Sequence, residues 1–499
     1  MKIKNIILSA LAVSALMFSS CTDDLNTVPL NDTDFVTDKA YTDDINTYMQ
    51  GLSKLYSGFC AVGQAGPGGS PDIAVEDGGS SELVRMWWSL NEFSTDEVKC
   101  AWKDDSYVRE MNFNTWTNAT NFAIFVVYNR FMLGATLVNE YLRQTTDDRL
   151  SGRGCNDATI TQVHQLRDEA RFIRAYMYWI GLDMFGNIPF VTEDDPVGAF
   201  MPQRKTRTEV YDYVVAELTD LTSSTSNLPA IGAATYPRID KGAVWGLLSR
   251  IYLNSEIYTG TAHWSDAMNA ARELITSGQY DLATDYDDLF RGDNGRNADV
   301  LKEFIFAVDY DATNTQTYGG TRFLCCAAYA SGDLEDVVTG TDGGWGGIRT
   351  SVDFVRRFFP DVTGENYTSG AFTCTDKRAK QFYIKDRTSG SISDWTDFMQ
   401  GWSVFKYLAV PSTDKANPSA FGNRMSWSDV DFPLIRYAEV LLNYAEASVR
   451  SGSPDATAIA AYNSIRTRAG LAAAGTFTLD QLYEERTREL MWKACAVSI

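Results

Sequence analysis

The residue types that most often carry chemistry are scarce or badly spaced in this chain. His164 and His263 are its only two histidines, so a centre with several imidazole ligands is excluded. A Ser–His–Asp arrangement would have to use one of these two. The eight cysteines include no CxxC pair, and Cys325 and Cys326 are adjacent. Once Cys21 is set aside an odd number remains, which fits buried or free thiols better than a disulfide framework or a zinc site. There is no P-loop and no GxSxG elbow. The glycines of GQAGPGG at Gly63–Gly69 follow no apolar strand and read as a flexible loop. Asp287, Asp288, Asp293 and Asn294 offer the oxygen ligands calcium takes, but without EF-hand spacing, and they read as a solvated acidic loop. A structural calcium ion is left open and no cofactor is expected. Glycoside hydrolysis needs two carboxylates ~5–9.5 Å apart; among 65 acidic residues no motif singles out such a pair.

The elements that must position any site are mainly helical. In Val163–Val191, apolar residues recur at Leu166, Ala170, Ile173, Met177, Ile180 and Met184, with a second line at Phe172, Ala175, Trp179 and Leu182. A helix apolar on two faces must be covered on two sides, as in stacked helix pairs. Gly186 is a natural stop and Pro189 keeps the helix from resuming. Further helical patterns run over Ile45–Phe59, Phe122–Arg143 (before a Gly-rich turn at Ser151–Gly154) and Thr208–Thr222, where Thr206 and Glu209 have capping-box spacing. Asp240–Tyr258 with Trp264–Thr276, and Tyr437–Arg450 with Ala456–Ala469, are two helix–turn–helix units of similar length. About four such pairs would make a curved scaffold. Between Leu282 and Pro433 short apolar runs such as Phe304–Val308 lie among Gly, Asp, Asn and Thr clusters. This is a loop-rich insertion with short strands, and long loops are where sites sit.

Length and composition limit the function classes. A chain of 499 residues can bury a large core. Its net charge of −21 argues against nucleic acid and anionic membrane surfaces as partners, since both call for a basic footprint. Neutral ligands such as sugars are unaffected. Lys2 and Lys4 precede a short apolar run, Ile6–Phe18, that ends in small residues before Cys21. As a helix this run rises ~20 Å, too short for a hydrocarbon core of ~30 Å. It has the form of a lipoprotein signal (residues 1–20) whose mature first residue, Cys21, is lipidated. A polar tether follows over residues 21–44.

The wording of the long helix is more specific than its periodicity. RxEAxFxRAxxYxxxxxxFGxIP, from Arg167 to Pro189, resembles the signature helix of the SusD/RagB family of outer-membrane nutrient-binding lipoproteins. LYEERTREL at Leu482–Leu490 is similar to the family's last signature helix. Members then continue with a Gly- and Arg-rich stretch, whereas MWKACAVSI follows here, which implies a truncated or altered end after about residue 491. The resemblance covers nearly the whole chain and is strong to starch-binding members. It implies a mostly α fold, with a tetratricopeptide-like helix-pair scaffold divided into an N-terminal region (45–230) and a C-terminal region (231–499). Gly69–Trp102, and Thr317–Cys326 with Gly343–Gly347, resemble the two blocks that carry the glycan site in those members. Carried over by position, an aromatic arc falls on Trp102, Tyr318 and Trp345, and polar sugar contacts on Asp77, Arg85 and Asp105. Asp105 stands where starch binders have Asn, so a donor is replaced by acceptors, and Cys100 replaces a neighbouring Trp.

Chemistry makes this assignment reasonable. A pyranose has an apolar C–H face and a polar rim, which suits flat aromatic area with a few aimed polar groups. An isolated Trp is more often a packing residue. Trp345, however, sits among four glycines, a poor place for core packing and a good one for presenting a ring. The resemblance implies binding of starch or maltooligosaccharide without turnover, at the cell surface, through a lipid anchor in the outer membrane. It also implies a SusC-like TonB-dependent transporter as partner. A different glycan is the first alternative; a glycoside hydrolase and a peptide-binding helical-repeat adaptor are further ones.

Overall fold

The structure, a computed structural model, describes residues 40–67, 70–73, 78–117, 121–198, 200–330, 337–363, 374–385, 387–413 and 426–494. The expected lipidation site Cys21, most of the expected tether and the expected sugar contact Asp77 lie outside the described residues.

The scaffold is a row of helices: α1 (Ile45–Ser57), α2 (Leu83–Phe93), α3 (Phe122–Gln144), α4 (Asp157–Phe185), α5 (Arg207–Thr222), α6 (Lys241–Leu253), α7 (Trp264–Ser277), α8 (Gly320–Ala327), α9 (Tyr437–Arg450), α10 (Ala456–Arg468) and α11 (Leu479–Leu490). Helix α3 packs on α4, α4 on α5, α5 on α6, α6 on α7, α7 on α9, and α9 on both α10 and α11. This is the expected mostly α, helix-pair scaffold. Helix α4 starts at Asp157, earlier than its apolar pattern, because the Asn156 side chain accepts from the amides of Ala158 and Thr159. It ends at Gly186, which has a φ of 71° and whose N–H donates a hydrogen bond to the Leu182 carbonyl. Its two apolar lines meet different partners. Phe172 and Tyr176 pack edge-on against Phe306, while Gly181 lies so close to Phe131 of α3 that an added Cβ would come within 2.9 Å of that ring. Helix α3 is long and apolar enough to cross a membrane. Here one face of it packs on α4, and its Arg130 is 3% exposed, donating to the carbonyls of Ser81 and Val62.

The short strands pair across long sequence distances. β1 (Lys99–Cys100) pairs antiparallel with β3 (Ile348–Arg349), and β2 (Phe304–Val308) with β4 (Phe432–Arg436). A buried charge cluster ties β4 to the last helix. Arg436, Arg378 and Arg468 all donate to Glu489 of α11, and Arg436 and Arg468 also reach Glu303, all with side chains 5% exposed or less. These three cations hold Glu489 down at a pKa of about 2 against the opposing effect of burial. The last helix is therefore fixed by charge pairing as much as by apolar contact.

Four readings of the sequence need correction. Asp240–Tyr258 is not one helix: it breaks after Leu253, where Asn254 turns its side-chain amide back onto the Arg250 carbonyl. The Gly-rich stretch Ser151–Gly154 is partly helical, the end of a short helix over Asp147–Gly152. The insertion between Leu282 and Pro433 holds α8 and shorter helical turns as well as strands. The supposed solvated acidic loop is buried: Asp287 is 5% exposed and paired with Lys380, Asn294 is fully buried between the carbonyls of Leu289 and Asp431, and Asp293 accepts from Ser412. Distant partners neutralise what looked like free charge.

Candidate functional site

Strand β1 delivers one half of the site and the glycine ribbon Gly343–Gly347 the other. The ribbon is pinned to the C-terminal end of α8, with Trp345 and Gly347 amides donating to the carbonyls of Cys326 and Ala327 at 2.7 and 2.8 Å. Those carbonyls have no partner within the helix, so the ribbon acts as its cap. The β1–β3 pairing then places Ala101 on Gly347 (N to O, 2.9 Å) and brings Trp102 alongside, its Nε1 donating to the Trp345 carbonyl at 3.1 Å. An added Cβ on Gly347 would come within 2.6 Å of the Trp102 indole. Glycine is what allows this approach. Trp102 and Trp345 are both half-buried.

Two arginines stiffen the rings. The Arg85 guanidinium lies 5.7 Å from the Trp102 ring centroid and 4.9 Å from Phe323, and its Nη1 donates to the Tyr318 carbonyl at 3.4 Å. Arg322 lies 5.6 Å from the Trp345 centroid and pairs with Asp342 at 2.5 Å. Such cation–ring contacts contribute about 0.5–2 kcal/mol each. Tyr318 is 43% exposed, with its ring centroid 5.0 Å from that of Trp427. Behind it, Gly79 is so close that an added Cβ would meet the Tyr318 Cβ at 2.4 Å.

One buried carboxylate joins the halves. Glu82, fully buried, caps α2 by accepting from the Arg85 amide at 2.6 Å. The same oxygen accepts from the Gly320 amide at 2.9 Å, and the other takes the Tyr310 hydroxyl at 2.7 Å. Burial pushes its pKa above the usual carboxylate range, and the three donors and Arg130 pull against that. Asp105 sits at the start of the short helix Ser106–Asn112, one turn beyond Trp102. Its charge and that of Arg85 both act on the buried Tyr107 and Cys100. The Cys100 thiol is pushed up to about 12, mainly by burial, so it is held protonated and unreactive at neutral pH.

The structure thus brings Trp102, Trp345 and Tyr318 together around Arg85, with Asp105 at the edge; Arg85 itself is buried, 5% exposed, beneath the rings rather than on the surface. Sequence reasoning missed Trp427, Arg322 and Glu82. Arg322 lies inside the TYGGTRFLCC block and could have been singled out there. Trp427 and Glu82 carry no local signal, since their partners are remote in sequence. The arrangement offers one exposed ring, Tyr318, two half-buried indoles packed on the core, and the Asp105 carboxylate, with the arginines buried behind them; ring area beside a few polar groups is equipment for holding a sugar ring.

The SusD family profile matches residues 302–493, and a second profile, described as starch-binding and associating with the outer membrane, matches residues 84–253. The chain is 30% identical to the starch-binding protein SusD of Bacteroides thetaiotaomicron over 98% of its own length and 88% of the relative's. It is 24% identical to a SusD-like protein of Bacteroides ovatus, over 64% and 56% of the two chains. Among solved structures, a SusD superfamily protein from Parabacteroides distasonis superposes with a TM-score of 0.63 at 21% identity, covering 82% and 80% of the chains. Surface glycan-binding protein A from Bacteroides thetaiotaomicron, solved with laminarihexaose, gives 0.65 at 17% identity, covering 90% and 88%.

Proposed function

The chain belongs to the SusD/RagB family of glycan-binding proteins, and from that premise we propose that it captures starch or maltooligosaccharides at the cell surface without cleaving them. It hands them to a SusC-like TonB-dependent transporter. The observation that carries the ligand reading is the hydrogen bond of Trp102 Nε1 to the Trp345 carbonyl, which holds the two residues side by side, with Arg85 linking Trp102 to Tyr318. Three rings held in place by a buried guanidinium suit stacking on successive sugar faces. A curved ligand such as α-1,4-glucan loses little conformational entropy on an arc of this kind, whereas a straight β-1,4-glucan fits poorly. Affinity is expected in the micromolar to millimolar range, on the order of −8 to −4 kcal/mol.

Isothermal titration with maltoheptaose, a β-1,4-glucan oligomer and laminarihexaose tests this. Wild type should bind maltoheptaose alone, and Trp345→Ala should lose detectable binding, because ~1–3 kcal/mol is a large share of so small a total. A β-glucan bound as well as maltoheptaose would overturn the starch reading; the laminarihexaose arm is included because a chain of this fold holds that sugar. The surface role rests on Cys21 and the apolar run before it. Cys21→Ala should be released in soluble form from cells lacking the transporter, and continued membrane retention would count against the anchor. The partnership predicts that a β-barrel co-purifies with the wild-type chain from outer membranes; repeated failure to recover one would remove it.

A further inference from the structure

Beyond the arc, a second group of aromatic side chains continues the same surface. Phe113, 51% exposed, ends the short helix that Asp105 begins. That helix places it about 10 Å from the arc's edge. The Phe113 ring stands edge-on to Trp395, centroids 5.9 Å apart at 85°. Phe398, from the same loop as Trp395, closes the gap on the other side, since a Cβ added to Gly346 would lie 3.5 Å from its ring. Phe113 is exposed and Trp395 and Phe398 are half-buried.

The loop is fixed to the arc and does not merely lie near it. Arg349, fully buried, donates to the carbonyls of Trp395, Asp397 and Gln400 at 2.8, 3.1 and 3.0 Å, and to Lys99 of β1 at 3.2 Å. One planar fork thus ties the strand leading into Trp102 to the loop bearing Trp395 and Phe398. Arg387 does the same from the far side: it donates to the Phe398 carbonyl, its guanidinium lies 4.2 Å from that ring, and it bonds Ser403, whose hydroxyl donates to the Ala328 carbonyl just past α8. Lys103, next to Trp102, and Asp394, next to Trp395, are both exposed; hydrogen bonds from Thr396 lower the Asp394 pKa first, and the Lys103 charge adds to that. Rings at intervals with charged groups between them repeat the chemistry of the arc.

We propose that Phe398, Trp395 and Phe113 form an extension subsite that takes further sugar units of an oligosaccharide whose first units lie on Trp102, Tyr318 and Trp345. The inference rests on the glycan reading above and adds a chain-length preference to it. Short oligosaccharides occupy the arc alone; longer ones gain from the extension.

The test is titration of wild type, the double variant Phe113→Ala/Trp395→Ala, and Trp345→Ala with maltotriose and maltoheptaose, with thermal midpoints measured for each. Phe113 is exposed but Trp395 is half-buried against the main core, so the double variant's midpoint should fall somewhat, and its affinities are read at a temperature where it is fully folded. Its maltoheptaose affinity should fall about five- to tenfold, and its maltotriose affinity should stay within twofold of wild type. Trp345→Ala should lose both sugars. Equal losses for the two sugars in the double variant, or no loss for either, would overturn the extension and leave the arc standing. Absence of binding by wild type would overturn both readings.

Discussion

Glu82 is where the geometry makes its sharpest demand. Its carboxylate collects three donors from two chain segments: the Arg85 amide, the Gly320 amide and the Tyr310 hydroxyl. Glu82→Gln keeps one acceptor oxygen for the two amides but turns the other into an NH2, which the Tyr310 hydroxyl can meet only as an acceptor, leaving its own proton without a partner. A hydrogen bond to a charged group contributes about 1.5–3 kcal/mol, and a buried donor left unpaired costs about 1–3. Relief of burying a charge offsets part of this, so a net loss of about 2–3 kcal/mol is expected. Tyr310→Phe removes a single bond and should cost about 1 kcal/mol. The two act on the same carboxylate, so the double variant should be less destabilised than the sum by about 1 kcal/mol or more. Urea titration gives the stabilities, and isothermal titration with maltoheptaose gives the second readout. If Glu82 aligns Arg85 with Tyr318, affinity should fall about tenfold in Glu82→Gln, even under conditions where the variant is fully folded. Additivity within ~0.5 kcal/mol, or wild-type affinity in folded Glu82→Gln, would refute the reasoning.

Gly347→Ala places a methyl where the Trp102 indole already lies, at 2.6 Å, so the ring must swing away; glucan affinity should drop several-fold with little change in thermal midpoint, read by titration and tryptophan fluorescence. Asp105→Asn should keep or improve maltoheptaose binding by restoring an amide donor, and a clear loss would show that the carboxylate itself is needed. Stability should also decline toward neutral pH. Glu97 is raised to about 7, chiefly by burial, and the buried Glu92 beside it is raised by burial and by Glu97. A raised folded-state pKa means stability that is full below the ordinary value of 4.5 and lost as pH climbs through 7. Glu489, at about 2, works in the opposite direction, giving stability that is lost only as pH falls below 4.5. A maximum near pH 5 in a denaturation series is expected, and Glu97→Gln should flatten its neutral side.

How much of this was legible depends on how local each determinant is. Helix α4 could be read from spacing and from Gly186, because both helix periodicity and a left-handed stop are properties of neighbouring residues. The α5 cap at Thr206 and Glu209 formed as its spacing required. Helix α8 was missed because its determinant is not local. Gly320–Ala327 is short and carries Thr, Phe and two Cys, residues of modest helix propensity, and it is helical because it is buried against α2. The acidic stretch around Asp287 looked solvated because Lys380 lies far along the chain. The arc residues could be placed through the wording of two blocks, but not the reason those blocks meet. That reason is Glu82, and no pattern marks one buried glutamate among 65 acidic residues.

The same nonlocality bears on how a weak sugar site works. Most of a sugar's polar surface exchanges water for protein with little net gain, so ordering loops on binding would consume what stacking provides. Here the rings ride on loops, yet each loop is already held by a buried charged group: Glu82 behind Tyr318 and Arg85, Arg349 behind Trp102 and Trp395, Arg387 behind Phe398. Burying such groups is costly unless every polar atom is matched, and the compensation is a surface fixed before the ligand arrives. Variants of these supports should therefore weaken binding without touching the sugar, and the loss should be entropic in origin. The calorimetric signature follows: relative to wild type, Glu82→Gln should bind maltoheptaose with a less favourable entropy at similar enthalpy, whereas Trp345→Ala should lose enthalpy because it removes a contact.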